Sequence, residues 1–204
     1  WFKEQREKNI DKIINSEFPS FRYGLNISFN PDFNFENIIS IKKANFVRNL
    51  VNISEDVEIL SFDKEFLERF NEKTWYGINE DILFHFNNVF ANDYLFIRIK
   101  ENSVIKKPVV IDYNLLEGLL ISNIFIFAEK NSESRILIKK SSRAGKEGYA
   151  SDMIKIIADD NSKIELFSLQ DLDQNVITFQ NRNALLNKNS IVKWTDFCIG
   201  GKFV

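Results

Sequence analysis

The stretch Asn161-Ser162-Lys163-Ile164-Glu165-Leu166-Phe167 shows the pattern that decides the fold: an Asn-Ser pair followed by a short run of β-forming residues. Further Asn-Ser pairs begin at Asn102, Asn131 and Asn189, so the steps between pairs are 29, 30 and 28 residues. A nearly constant step of this size is typical of proteins built from stacked repeats. Because the residues are β-formers around polar turns, we expect each repeat to be one coil of a β-solenoid.

The residues before each Asn-Ser pair predict the interior of this solenoid. The positions five and three residues before the Asn are apolar in all four repeats. Side chains two positions apart point to the same side of a strand, so both should face one core. Asn and Ser suit the corner because their short side chains bond the local backbone and Asn tolerates the left-handed conformation. The apolar residues are Ile97, Ile99, Ile126, Ala128, Ile156, Ala158, Ala184 and Leu186.

Composition narrows the class of protein. The 204 residues include 27 Lys and Arg against 29 Asp and Glu, and a net charge of −2 gives no indication of a nucleic-acid partner. The single cysteine, Cys198, excludes an intrachain disulfide. The charged residues 1–12 do not form a secretion signal, and the longest apolar run, Ile121–Ala128, is too short to span a membrane. We therefore expect a cytoplasmic protein that does not insert into membranes.

The periodicity divides the chain into two regions. Residues 1–92 form a helical or mixed N-terminal region, and residues 93–204 form the β-helix, in which the two-residue period never gives way to a helical one. A solenoid needs a cap, since its last coil otherwise exposes an apolar face and an open edge. No cap is visible before Val204. We expect that the chain is a fragment or that this end pairs with another subunit.

Within the N-terminal region the apolar spacing predicts three helices and some short strands. The first helix covers residues 1–15, and the second begins at Ser61 and includes Phe62–Phe70. The third begins at Asn79 or Asp81 and carries Ile82, Phe86, Val89 and Phe90 on one face. Short alternations around Ile39 and Ile41, and around Val57 and Ile59, indicate strands.

Three features have the residue types of functional sites but favour structural roles. His85 is the only histidine, and one histidine cannot form a His-rich metal site. Cys198 stands beside Ile199-Gly200-Gly201, but no second Cys or His lies nearby in sequence. The basic stretch Lys139–Lys146 lacks the phosphate-binding glycine pattern, so we interpret it as a solvated loop between coils, with an anionic partner surface as the second choice.

Acidic pairs leave a second class of function open. Asp159-Asp160 and the pair Asp171 and Asp173 have the residue types of a glycosidase or of a β-helix lyase. Asp159 and Asp160 adjoin a predicted corner, where Asp is common for turn reasons alone. No other catalytic motif is present, so the sequence predicts no catalytic residue, no metal site and no enzyme. A carbohydrate-active or carbohydrate-binding β-helix is the alternative.

Several stretches, taken in order, resemble one family. Phe84–Ile99 is similar to the family's opening motif, Lys106–Ile111 to its x-x-P-I-x-I element, and Ser168–Asp171 to its V-Q-N/D strand. Arg182–Asp196 and Gly200-Gly201 are similar to its R-A-L…W segment and the G-G/S after it, while Trp1–Arg6 and Phe18–Ser20 match its N-terminal elements loosely. The family is that of the B- and D-type scaffold subunits (SufB/SufD) of the SUF iron–sulfur cluster assembly machinery.

The resemblance implies a fold and partners. Family members have an N-terminal helical region, a right-handed parallel β-helix and a C-terminal helical domain. They join a second SufB/SufD-like subunit through their β-helices, and their C-terminal domain docks a SufC-like ATPase. We therefore expect a non-catalytic scaffold for iron–sulfur cluster assembly, truncated before its C-terminal part. An Fe–S cluster is expected only in the full complex, and the residues that would contact it are unknown.

One departure from the family bears on subunit type. Where B-type subunits tend to carry a cysteine after the arginine, the ungapped match places Leu185. Cys198 has no counterpart in the family pattern. We therefore expect a D-type or divergent member without its own sulfur-channel cysteine, and no functional residue is carried over.

Overall fold

The computed structural model describes residues 2–14, 21–23, 27–29, 38, 40, 41, 43–60 and 82–203. Two helices are defined, α1 (Phe2–Ile14) and α2 (Ile82–Phe90). The strands of the first half are β1 (Phe21–Tyr23), β2 (Ile27–Phe29), β3 (Ala44–Val51), β4 (Val57–Leu60) and β5 (Asp93–Ile99). Those of the second half are β6 (Val109–Ala128), β7 (Glu133–Ser142), β8 (Gly148–Ala158), β9 (Lys163–Asp171), β10 (Val176–Leu186), β11 (Ile191–Cys198) and β12 (Lys202–Phe203).

The second half is a β-solenoid of stacked parallel coils, as the repeat predicts. One face, called face A, consists of the first part of β6 followed by β7, β9 and β11, each paired in parallel with the next. The other, face B, consists of β5, the second part of β6, β8, β10 and β12. The long strand β6 contributes to both faces because it turns at Gly118, whose φ is 87°. A Cβ there would lie 2.1 Å from the Lys43 carbonyl oxygen, so only glycine fits.

The four Asn-Ser corners stack along one edge of the solenoid. Asn102, Asn131, Asn161 and Asn189 all adopt the left-handed conformation, with φ between 57° and 60°. The side-chain amides of the last three donate to the side-chain oxygen of the preceding Asn, at 2.8 Å, 3.0 Å and 3.2 Å in turn. Asn is the non-glycine residue best suited to this backbone. The ladder therefore holds the turn of each coil and also ties it to the next coil.

The predicted inward residues form the core. Ile97, Ile99, Ile126, Ala128, Ile156 and Ala158 are fully buried. Ala184 packs against the same core from the last full coil, whereas Leu186 is 48% exposed because no described strand stacks beyond β10 at that position. Each fully buried Ile contributes roughly 1.5–3 kcal/mol. The core thus lies between faces A and B and runs along the solenoid axis.

Two consecutive strands, β3 and β4, called the covering strands, run antiparallel to the first coil and cover it. Strand β3 pairs with β6 on face A, and β4 pairs with β5 on face B. The strand expected at Val57 and Ile59 is confirmed as β4. The strand expected around Ile41 is wrong, because Ile38 and Ser40 are helical and Ile41 belongs to no strand. Ile38 is 3% exposed and packs in the cluster that contains Phe86 and Tyr149, so its burial comes from a helical turn.

The N-terminal helices lie against the outside of face B. α1 and α2 occur where the apolar spacing predicts them, and α1 packs on α2. Phe86 meets Tyr149 edge-on with ring centroids 5.6 Å apart, and Ser151 donates to the Asn87 side-chain oxygen at 2.7 Å. As a result every residue of β8 is buried, on both of its sides. The helix expected over Phe62–Phe70 lies outside the described residues.

The corner ladder gives the first testable prediction. Asn131→Ala removes two ladder hydrogen bonds. It also leaves a residue with a Cβ in the left-handed backbone without the side-chain amide that favours this conformation. The variant should destabilise the protein by about 2–4 kcal/mol. Asn131→Gly removes the same bonds but keeps the backbone unstrained, so its cost should be clearly smaller. Urea unfolding of both variants measures the difference. Equal stabilities for the two variants would show that the left-handed backbone imposes no cost at this corner.

Candidate functional site: a polar column inside the solenoid

Polar side chains form a column inside the solenoid. On face A, strand register aligns Arg48, Tyr113, Lys140, Gln170 and Cys198 in successive strands. On face B it aligns Asp93, Ser122, Asp152 and Gln180. These residues share the inward side of their strands with core aliphatic residues such as Ile138 and Ile154. A solenoid core needs only apolar residues, so a continuous polar column is the feature most in need of a functional explanation.

The first polar layer closes the column at the end where the covering strands lie. The Arg48 guanidinium contacts the Asp93 carboxylate and donates to the Tyr94 carbonyl oxygen at 3.2 Å. The Tyr113 hydroxyl donates to the other Asp93 oxygen at 2.7 Å. Burial raises the pKa of Tyr113 well above its ordinary value, and the neighbouring Asp93 charge raises it further. Arg48 lies on β3, so this layer also fastens the covering strands to the solenoid.

The second polar layer is a fully buried ion pair. Lys140 Nζ lies 3.1 Å from Asp152 Oδ2, and both side chains are 1% exposed. Ser122, next to Asp152 in register, is also fully buried. The contact has the distance of an ion pair but not the angles of a hydrogen bond. Lys140 Nζ and both Asp152 oxygens therefore have no hydrogen-bond partner among the described residues. Opposite charges meeting in a dry interior are costly unless the remaining polar atoms are also satisfied.

The third polar layer is a hydrogen-bonded network near the end of the described coils. The Gln170 side-chain oxygen accepts from Thr178 and from Gln180, both at 3.0 Å, while its nitrogen donates to the Gly200 carbonyl at 2.8 Å. Arg182 donates to Gln180 at 2.5 Å and contacts the Asp196 carboxylate. The Arg182 guanidinium also lies 5.7 Å from the centre of the Trp194 ring, a cation–π arrangement. The column thus ends among polar and aromatic side chains.

The interpretation of the basic stretch as a solvated loop is wrong for its first part. The basic stretch Lys139–Lys146 is not a solvated loop throughout, because residues 139–142 belong to β7 and Lys140 is inside the solenoid. Lys139 faces outward toward Asp112 at 3.8 Å. The alternation that buries Ile136 and Ile138 simply continues to Lys140. This continued alternation predicts that Lys140 faces inward, whereas the basic composition of the stretch indicates an exposed loop.

The remaining predicted residues have structural surroundings. The His85 ring Nδ1 lies 2.7 Å from the Asn9 side-chain oxygen, buried between α2 and α1. Asp159 accepts from the Asp160 backbone N–H and from the Asn187 side chain, both at the corner. Asp173 accepts from the backbone N–H groups of Gly145 and Asn175, and these bonds lower its pKa. The acidic residues considered for carbohydrate chemistry are therefore turn residues, apart from Asp171, which is exposed at the end of β9.

Leu185 and Cys198 occupy different surroundings. Leu185 faces outward from face B and packs with Phe127 and Ile157. Cys198 lies on the inward register of face A, beside Gln170, and is exposed with a free thiol. Among the residues that the structure describes, no group of three or more His, Cys, Asp or Glu could hold a metal ion. No helix in the described ranges is long and apolar enough to cross a membrane.

Residues 113–204 match the SufBD core domain of SUF system FeS cluster assembly. The match begins at the inward Tyr113 of the first polar layer and covers slightly less than half of the chain. It supports the SufB/SufD family that the sequence motifs indicated, and a role in SUF iron–sulfur cluster assembly. No curated protein matches the chain.

Burial predicts the alkaline behaviour of two tyrosines, Tyr113 in the column and Tyr149 between face B and α2. Burial raises the pKa of Tyr113 and of Tyr149 above the ordinary value of about 10. The folded state therefore favours the neutral rings, and the stability that they contribute is complete below pH ~10 and is lost as the pH rises further. In an absorbance titration of tyrosinate, Tyr113→Phe and Tyr149→Phe should leave the ordinary ionisation step unchanged. A smaller step at pH ~10 in either variant would mean that the ring is accessible to solvent.

The buried ion pair predicts an asymmetric response to mutation. Lys140→Met alone leaves the Asp152 carboxylate buried without its cation and should cost about 3–5 kcal/mol in urea unfolding. The double variant Lys140→Met/Asp152→Leu removes both charges and should recover most of that loss. Additive losses in the double variant would contradict a direct pairing inside the core.

Proposed function

We propose that this chain is a subunit of a SUF-type iron–sulfur cluster assembly complex and acts in the cytoplasm as a non-catalytic scaffold. The observation that carries the proposal is the family match over residues 113–204, on a chain that folds into stacked parallel coils. A binding role is supported because Asp159, Asp160 and Asp173, which have the residue type of carbohydrate-active sites, are engaged in turns. The partners that we propose are a SufC-like ATPase and a second SufB/SufD-like β-helix.

The edge of the last coil supports pairing with a second β-helix. The backbone N–H of Ile191 donates to Ser162, and that of Ile199 donates to Gln170. In a parallel ladder alternate residues bond to opposite sides, so Val192, Trp194 and Asp196 direct their N–H and C=O groups away from β9. In the described part of the chain no strand pairs with β11 on that side. A parallel strand from a partner β-helix would satisfy these groups.

Exposed apolar side chains mark the same end of the solenoid. Ile191 is 47% exposed, Phe197 is 54% exposed and Ile199 is 72% exposed. Open strand edges with apolar flanks attract further strands. We therefore propose the β11 end as the partner contact, because backbone pairing and apolar burial are both available there.

Co-purification tests the proposed complex. The full-length protein, expressed with a SUF-type ATPase and a second SufB/SufD-like subunit under reducing, anaerobic conditions, should elute with both. Elution of the protein without either partner would contradict the proposal, while retention of only one would assign the contact to that partner.

A matched pair of variants tests the contact surface. Phe197→Asp places a charge where apolar burial is expected and should weaken association with the β-helix partner by roughly 10- to 100-fold. Val104→Asp is the control, because Val104 is 61% exposed and lies near the end of the solenoid where the covering strands lie. Affinity should be unchanged in this control. If both variants bind like the wild type, the β11 end is not the contact.

Leu185 supports a D-like subunit that carries no sulfur acceptor of its own at the B-type position. The only thiol is Cys198, so Cys198→Ser tests whether the chain itself must carry sulfur. Cluster assembly in the reconstituted complex should proceed at the wild-type rate with this variant. A loss of cluster formation with intact subunit association would show that Cys198 takes part in sulfur handling and would contradict the D-like role.

A further inference from the structure

The three polar layers inside the solenoid differ in how completely their polar atoms are satisfied. In the first layer both Asp93 oxygens have partners, from Arg48 and Tyr113. In the third layer Gln170 uses both its oxygen and its nitrogen. In the second layer the hydroxyl of Ser122, the ammonium of Lys140 and both oxygens of Asp152 have no hydrogen-bond partner among the described residues. The third layer has one such atom, Arg182 Nε, so most of the deficit lies in the second layer.

Strand order brings these atoms together. β6 and β8 are neighbours on face B, and their register sets Ser122 beside Asp152, one strand spacing of about 4.8 Å apart. The chain passes from β6 through β7 to β8, so Lys140 extends from face A toward this pair and reaches Asp152 at 3.1 Å. All three side chains are at most 2% exposed. Four polar atoms therefore converge in a closed interior.

The charges decide what such a site can hold. Lys140 contributes a positive charge and Asp152 a negative one, so the layer is neutral and favours neither a cation nor an anion. Its donors are the ammonium and the hydroxyl, and its acceptors are the carboxylate oxygens and the same hydroxyl. A water molecule can donate two hydrogen bonds and accept others, and buried waters usually make about three. Water is the small neutral ligand that satisfies donors and acceptors at the same time.

We propose that the second polar layer binds ordered internal water, held by Ser122, Lys140 and Asp152, so that the ion pair inside the solenoid is locally hydrated. Such water completes the hydrogen bonding of a pair whose direct contact is poorly angled. It also explains how a Lys and an Asp persist among residues such as Ile124 and Ile154 without a compensating network like that of the third layer.

A crystal structure of the protein at a resolution that shows ordered waters tests the proposal. Density within hydrogen-bond distance of at least two of Ser122 Oγ, Lys140 Nζ and the Asp152 oxygens is the expected result. A dry layer with a directly hydrogen-bonded Lys140–Asp152 pair would overturn it. Anomalous density at this position after a bromide soak would overturn it as well, because it would show an anion site.

Two variants and a control keep the test independent of one crystal. Ser122→Ala removes one partner of the water, so the density should weaken or shift toward Lys140 and Asp152. Lys140→Met/Asp152→Leu removes the polar partners, and the layer should become dry. Ser132→Ala is the matched control, since Ser132 is equally buried but its hydroxyl donates to the Glu129 carbonyl at 2.6 Å. Unchanged density in the double variant, or loss of density in the control, would show that these three residues do not hold the water.

Discussion

Every coil of this solenoid must reverse direction at the same place, and a left-handed Asn makes that possible. The backbone at Asn102, Asn131, Asn161 and Asn189 has nearly the same positive φ, which few residues tolerate. Because the four corners are alike, the strands that leave them start in register, and each side-chain amide can bond to the next. Register then decides which side chains enter the core. The fold, the position of the covering strands and the interior column all depend on this repeated turn.

Much of this architecture could be predicted from the sequence, since two periods coincide in it. The two-residue period of residues such as Ile156 and Ala158 predicts an inward face, and the repeat of about 29 residues predicts stacking. Both are local signals that tertiary contacts only reinforce. The helix ending at Phe90 was predictable for the same reason, because its apolar spacing follows the helical period.

The pairing of the covering strands and the interior column could not be predicted in this way. β3 pairs with a strand more than sixty residues later, and nothing in its own short alternation specifies that partner. Lys140 and Asp152 are only twelve residues apart, but whether they meet depends on the corner between them and on which face each strand occupies. Arg48 and Asp93 present the same difficulty. Contacts across the solenoid depend on register, and the sequence gives register only after the corners are known.

The fold and the proposed function meet in the contrast between the outside and the inside of the solenoid. Outside, α2 packs on face B, and among the described strands β11 has one edge without a paired strand, flanked by exposed apolar side chains. Inside, polar groups follow the axis from Arg48 and Asp93 to Gln170 and Arg182. The proposed scaffold role needs a regular body, which the stacked coils provide, and a contact surface, for which we propose the β11 end. The match to the SufBD core domain covers Lys140, Asp152, Gln170 and the β11 end, while Arg48, Asp93 and the two helices precede it.

Stacking of the coils in register is tested most directly by pairs of nitroxide spin labels on face A, with Cys198→Ser as the background. Leu137 and Phe167 face outward on adjacent strands and are paired in register, one strand spacing of about 4.8 Å apart. Labels at Leu137 and Thr195 are two strands apart and serve as the control. We predict strong dipolar broadening for the first pair and weaker broadening for the second. No broadening in the first pair would contradict the stacked, in-register solenoid.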